Sequence, residues 1–182
     1  MMNVKKLAHV LRAIGSVTGE KTLVVVGSTS VLLNAKNIPA QMLMSQEVDA
    51  FAPNAVDEEL YHDLVDGSLG AGSMFNRTFG YYGDGVSSRT ACMPSDWRSR
   101  ARQVAVPGVV EVEVLAPDIN DIALSKMMAW REKDRNWLQA GVRSKILDPA
   151  VMRGRLGLLP EAEAPRDEVL RRMDTVATYA AA

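Results

Sequence analysis

The 182-residue chain has one cysteine, no apolar run long enough to cross a bilayer, and no surplus of either charge. The lone Cys92 excludes an internal disulfide and fits a reducing compartment. The opening MMNVKKLAHVLRAIGSV interrupts its apolar residues with charges, so it reads as neither a signal peptide nor a membrane span. No membrane partner and a cytoplasmic location are therefore expected. A net charge of −1 excludes a strongly basic nucleic-acid binder but hides an asymmetry. Residues 97–155 carry 11 Lys or Arg against 7 Asp or Glu, whereas the residues before 97 carry 7 against 10. A basic later half facing an acidic earlier half suits a nucleotide or RNA substrate, or is an ordinary solvated surface. Internal repeats and low-complexity tracts are absent. The two histidines, His9 and His62, lie on helical stretches and receive no role.

What is present is the composition of a globular domain, 47% hydrophobic and 24% charged. The length serves one core with a helical appendage. One domain over 1–182 is expected, with a sheet-containing core at 1–117 and a helical subdomain at 118–182. The fold class is α/β (α+β), a small mixed sheet flanked by helices. Residues 22–52 organise it. A β-branched run, Val24-Val25-Val26, stops at Gly27-Ser28, a small-residue segment follows, and a second apolar run carries Glu47 and Asp49. Spacing by two puts both carboxylates on one side of a strand at 47–52. Backbone N–H groups at a helix start cradle phosphate, and aligned carboxylates hold Mg²⁺ against it. The bland alternatives are a Gly turn with Ser28 as N-cap, and acids that face water.

Before this stretch, Val4, Leu7, Leu11 and Ile14 recur at helical spacing over 3–18. After it, 57–66 reads as a helix ending at Gly67. Glycines and aromatics at 67–90 predict loops and short strands, with Phe75, Phe79, Tyr81 and Tyr82 placed to stack a base or close a core. A short helix at 96–103 precedes strands at 103–106 and 109–115 across Pro107-Gly108. In the second strand Val110, Val112 and Val114 alternate with Glu111 and Glu113. A helix fills 118–131. Its Lys126 stands four residues from both Ile122 and Trp130, in the apolar stripe, where a lysine either snorkels or points into a polar cleft. A solvated connector at 131–135, helices at 149–156 and 166–179, and a linker at 157–166 complete the chain.

The stretches VVGSTSVLL and SQEVDAFAP, with LGAGSMFNRTFGYYGDGVSSRTACMPSDWRSRA and LSKMMAWREKDRNW, resemble the DNA polymerase β-like nucleotidyltransferase superfamily. They look closest to an uncharacterised bacterial branch related to abortive-infection and toxin–antitoxin nucleotidyltransferases. The resemblance covers most of residues 22–140. It implies a polymerase β-like core and a Mg²⁺- or Mn²⁺-dependent transfer of a nucleoside monophosphate from an NTP to an acceptor hydroxyl, on RNA or tRNA. A partner protein of a toxin–antitoxin pair is implied with it. Gly27, Ser28 and Lys126 would meet the triphosphate. Glu47 and Asp49 would hold metal with a third acid from a later strand, Glu113 or alternatively Glu111, with Asp118 and Asp121 next in line. Glu47 stands where relatives more often have Asp, and Leu43 where they have Arg. A catalytically silent nucleotide binder or antitoxin on the same fold is the second expectation.

Overall fold

The computed structural model describes residues 1–160 and 166–180. The chain begins with helix α1 (Val4–Thr18), capped by the Asn3 side chain on the Lys6 N–H and closed by left-handed Gly19. Strand β1 (Thr22–Val25) is followed by a 3₁₀ turn at Ser28–Ser30 and a one-turn helix α2 (Val31–Asn34). Strand β2 (Glu47–Phe51), helices α3 (Glu58–Leu69) and α4 (Met74–Phe79) and strand β3 (Tyr82–Gly85) come next. Strands β4 (Arg102–Gln103) and β5 (Glu113–Ala116) lead into α5 (Ile119–Ala129), α6 (Glu132–Arg143), α7 (Pro149–Arg155) and α8 (Arg166–Thr178).

Among the described residues, five strands form one mixed sheet in the order β3-β2-β1-β5-β4. β1 runs antiparallel to β2 and parallel to β5, and β3 runs parallel to β2. Period-two alternation divides the apolar side chains between two cores. Leu23, Val25, Val48 and Ala50 pack with Leu7, Leu11 and Ile14 of α1 and with Val65 of α3. Val24 and Phe51 pack on the other face, with Ile122, Leu124 and Met127 of α5, Leu138 of α6, Met152 of α7 and Met173 of α8. Glu47 and Asp49 share the parity of Phe51 and so face the side covered by α5 and α6.

The architecture is the expected mixed sheet flanked by helices, with several local differences. The 67–90 stretch contains α4 and the end of α3 as well as β3, because Ser73 caps α4 on the Asn76 N–H. Strand β5 starts only at Glu113, and Val110 is 89% exposed, so the Val–Glu alternation before it belongs to an open turn. The stretch expected as a solvated connector begins α6, with Asp134 fully buried. The short helix near residue 96 is a single 3₁₀ turn, Trp97–Ser99. Part of the expected 157–166 linker lies outside the described residues.

Candidate active site

Three carboxylates converge where β2 meets β3. Parallel pairing sets Asp49 opposite Asp84 and Glu47 opposite Tyr82. One oxygen each from Glu47, Asp49 and Asp84 lie within 4.8 Å of one another. Asp84 sits between Gly83 and Gly85, whose bare faces let the strand lie against α1 and α3. A Cβ on residue 83 would stand 3.0 Å from the Val10 side chain, and one on residue 85 would stand 2.8 Å from Val65. The small residues press the strand onto the helices and leave the acid on the opposite side.

The Gly27 turn closes the site from β1. Val26 donates its N–H to the Asp49 carbonyl at 2.9 Å, and Gly27 turns with φ +67°. A Cβ there would lie 1.8 Å from Asp49 Oδ2, so glycine is demanded by both conformation and space. Ser28 is not the N-cap expected of it. Ser30 bonds back to the Gly27 carbonyl at 2.8 Å, while the Ser28 hydroxyl accepts from Lys126 Nζ at 2.9 Å.

Lys126 is 5% exposed and aims into the cleft. It also donates to Asp134 Oδ1 at 3.2 Å and lies 5.1 Å from the Trp137 ring centroid. Arg131 holds the other oxygen of Asp134 at 2.6 Å. Left-handed Trp130 turns the chain sharply between α5 and α6, and this bend brings Asp134 back onto Lys126. It also brings Lys133 over the acids, 3.2 Å from Glu47 Oε1, while the Tyr82 hydroxyl donates to Glu47 Oε2 at 2.9 Å.

The electrostatics separate the three acids. Burial, with Glu47 and Asp84 close by, pushes the Asp49 pKa up to about 7 against the pull of Lys126 and Lys133. Burial and the neighbouring Asp66 and Glu47 also raise Asp84. For Glu47, burial acts upward but is outweighed by the Tyr82 hydrogen bond and Lys133, so its pKa falls below the usual value. Burial lowers the Lys126 pKa despite the opposing Asp134 charge. Glu47, Asp49, Asp84, Lys126 and Lys133 line a cleft of about 270 Å³ with Gly27, Ser28 and Arg131. A recess of about 390 Å³ adjoins it past Lys133, lined by Gln41, Gln46, Tyr82 and Trp137.

The structure therefore brings together Gly27, Ser28, Glu47, Asp49 and Lys126. It does not bring Glu113 to them. Glu113 lies on β5, beyond β1 from the acid pair, with its carboxylate 3.5 Å from the Thr22 hydroxyl. Glu111 is exposed in the turn before β5. Asp118 caps α5 and pairs with Arg155, and Asp121 is buried between Arg100 and Arg155. Phe75, Phe79 and Tyr81 cluster around His9, which shares a hydrogen bond with the Tyr81 hydroxyl; Phe75 and Tyr81 pack against the core beside α1, and Phe79 is exposed. Asp84, Lys133 and Asp134 were missed in the sequence. The one local signal was an acid bracketed by glycines in YYGDG.

An all-oxygen set of three carboxylates fits a hard divalent cation, Mg²⁺ or Mn²⁺. The upward shifts at Asp49 and Asp84 agree, since clustered anions resist ionising together until a cation joins them. Among the described residues, no helix is long and apolar enough to cross a membrane. The family model described as "Nucleotidyltransferase of unknown function (DUF6036)" matches residues 3–173. No curated protein and no solved structure matches the chain.

Proposed function

The chain belongs to the DUF6036 family of nucleotidyltransferases, and from that premise we propose that it transfers a nucleoside monophosphate from an NTP to an acceptor hydroxyl. The observation that carries this reading is the convergence of Glu47, Asp49 and Asp84 opposite Ser28 and Lys126 in one cleft. Those carboxylates would hold Mg²⁺ or Mn²⁺, which supplies charge neutralisation at the phosphate oxygens. Lys126 and the Ser28 hydroxyl, already aligned on each other, take the triphosphate oxygens, with the Gly27-Ser28 backbone turn close beneath. Asp134 and Arg131 fix the Lys126 ammonium so that little freedom is lost on binding. The acceptor oxygen bonds to the α-phosphorus, and the bond to the bridging oxygen of pyrophosphate breaks. The hydroxyl proton passes to a carboxylate oxygen of the cluster.

The acceptor we favour is RNA, tRNA included. Its support is the surplus of Lys and Arg over residues 97–155 and the basic side chains beside the cleft. Lys133 and Arg143 line one groove with Gln41, Asn136 and Gln139. A role as one partner of a toxin–antitoxin pair, acting in the cytoplasm, belongs to the same reading and rests on the resemblance of the sequence stretches.

One observation favours a silent nucleotide binder or antitoxin instead. Both oxygens of Glu47 are engaged by protein donors, Lys133 and Tyr82, and the Lys133 ammonium stands at the carboxylate a cation would use. The deciding experiment is incubation with α-labelled NTPs, Mg²⁺ and total RNA. Label on RNA that disappears in Asp49→Asn is the outcome expected of an enzyme. Metal-dependent NTP binding with no label on any acceptor is the outcome expected of the silent form.

A further inference from the structure

β3 is an edge strand, so Asp84 can be reached from two sides. On the sheet face it joins Glu47 and Asp49. Around the open edge it meets α3, where His62 and Asp66 stand four residues apart and hence on one helix face. A ring nitrogen of His62 and one oxygen each of Asp66 and Asp84 lie within 4.8 Å of one another. Gly85 makes this approach possible, since a Cβ there would stand 3.2 Å from His62 Cα.

The orientation of His62 is set from outside the trio. Its Nδ1 lies against the Gly85 carbonyl, which can only accept, so Nδ1 carries the hydrogen. In the neutral ring the lone pair then falls on Nε2, the nitrogen 4.0 Å from Asp66 Oδ2. Metal-binding histidines characteristically place the second ring N–H on a carbonyl or carboxylate in this way. With metal–ligand bonds of about 2.0–2.2 Å, tetrahedral ligand atoms stand about 3.3–3.6 Å apart. Nε2 and Asp66 Oδ2, 4.0 Å apart, need to close by only about half an ångström to share one ion.

We propose that His62, Asp66 and Asp84 form a second cation site, for a first-row transition ion such as Zn²⁺ or Co²⁺ in preference to Mg²⁺. An imidazole nitrogen suits those ions, whereas Mg²⁺ takes oxygen ligands and keeps its waters. Two carboxylates balance the charge of one dication. Because Asp84 belongs to both clusters, an ion at this site draws it away from Glu47 and Asp49 and inhibits nucleotidyl transfer. That consequence alone rests on the function proposed above, and the site itself does not.

The test uses the full chain and Co²⁺ or Zn²⁺ alone, without nucleotide, followed by calorimetry and by visible absorption of Co²⁺. Wild type and Glu47→Gln should both bind, and His62→Ala and Asp66→Asn should bind about tenfold or more weakly. The His62 and Asp66 side chains are about half exposed, and a thermal melt will verify that both variants fold. Undetectable Co²⁺ and Zn²⁺ binding by wild type, or wild-type affinity in both variants, overturns the proposal. Binding lost in Glu47→Gln but kept in His62→Ala also overturns it, placing the ion in the main acid cluster and leaving nucleotidyl transfer intact. His62-dependent Co²⁺ binding in a protein that labels no acceptor would sustain this site while the transfer reading fell.

Discussion

Gly27 and Asp49 approach so closely that no side chain fits between them: a Cβ on residue 27 would overlap Asp49 Oδ2 at 1.8 Å. The turn expected to meet phosphate and the acid expected to meet metal are thus one mechanical unit, joined also by the Val26–Asp49 backbone hydrogen bond. Gly27→Ala should lower stability by about 1–3 kcal/mol, because φ +67° with ψ −160° is a region open essentially to glycine alone. It should also displace Asp49 and weaken Mg²⁺-dependent ATP binding by about 10–100-fold, the range for disturbed surroundings of a metal ligand. Denaturant unfolding and calorimetry check the two effects separately. Wild-type values in both would mean that the contact relaxes freely.

Asp49 should make stability fall as pH rises. With its pKa raised to about 7, the native state binds a proton that the unfolded chain releases near its ordinary value of 3.8. Its contribution is full below the unfolded value and is lost as pH climbs toward 7. Asp49→Asn should flatten that slope and, without metal, stabilise the protein at pH 8 by a few kcal/mol, on the order expected for such a shift. Added Mn²⁺ should stabilise wild type more at pH 8 than at pH 6, because the ion competes with the proton. Thermal melts across that range suffice, and identical slopes in the two proteins would refute the assignment.

Lys126→Met should weaken NTP binding by about 1.5–3 kcal/mol, the scale of a charge-assisted contact. It should also cost about 1–3 kcal/mol of stability, because buried Asp134 keeps Arg131 but loses its second charged donor. Unchanged NTP affinity in a destabilised but folded variant would make Lys126 a purely structural partner of Asp134.

Lys133→Ala addresses the silent form directly. Its ion pair with Glu47 is more than half exposed on the lysine side, so stability should change by less than about 0.5 kcal/mol. Freed of that ammonium, the acid cluster should bind Mn²⁺ about two- to fivefold more tightly, equivalent to about 0.5–1 kcal/mol. Manganese relaxation measurements would read this, and weaker binding would show that Lys133 helps to hold the site together.

The residues legible in the sequence are those whose roles follow from local periodicity. The Val24–Val26 run, the glycine after it, the Glu47–Asp49 spacing and Lys126 within an apolar stripe each have a fixed consequence on a strand, turn or helix. Asp84 has no such signature. Its strand is half glycine, so its burial pattern carries no hydrophobic alternation to read. Glu111 and Glu113 showed the alternation and stand elsewhere, because a solvent-facing acid repeats with the same period as a site acid.

By itself, then, the sequence determined the secondary structure around the Gly27 turn, the mixed α/β class and the pair of acids on one strand face. Only the tertiary structure decided which strand flanks β2, and with it the third carboxylate. Strand order is a property of long-range packing: β3 reaches β2 because Gly83 and Gly85 allow it to lie on α1 and α3, while β5 is held across β1. The same holds for Lys133 and Asp134. The left-handed turn at Trp130 folds α6 back over the acids, and no periodicity along the chain encodes where a bend of that kind will point.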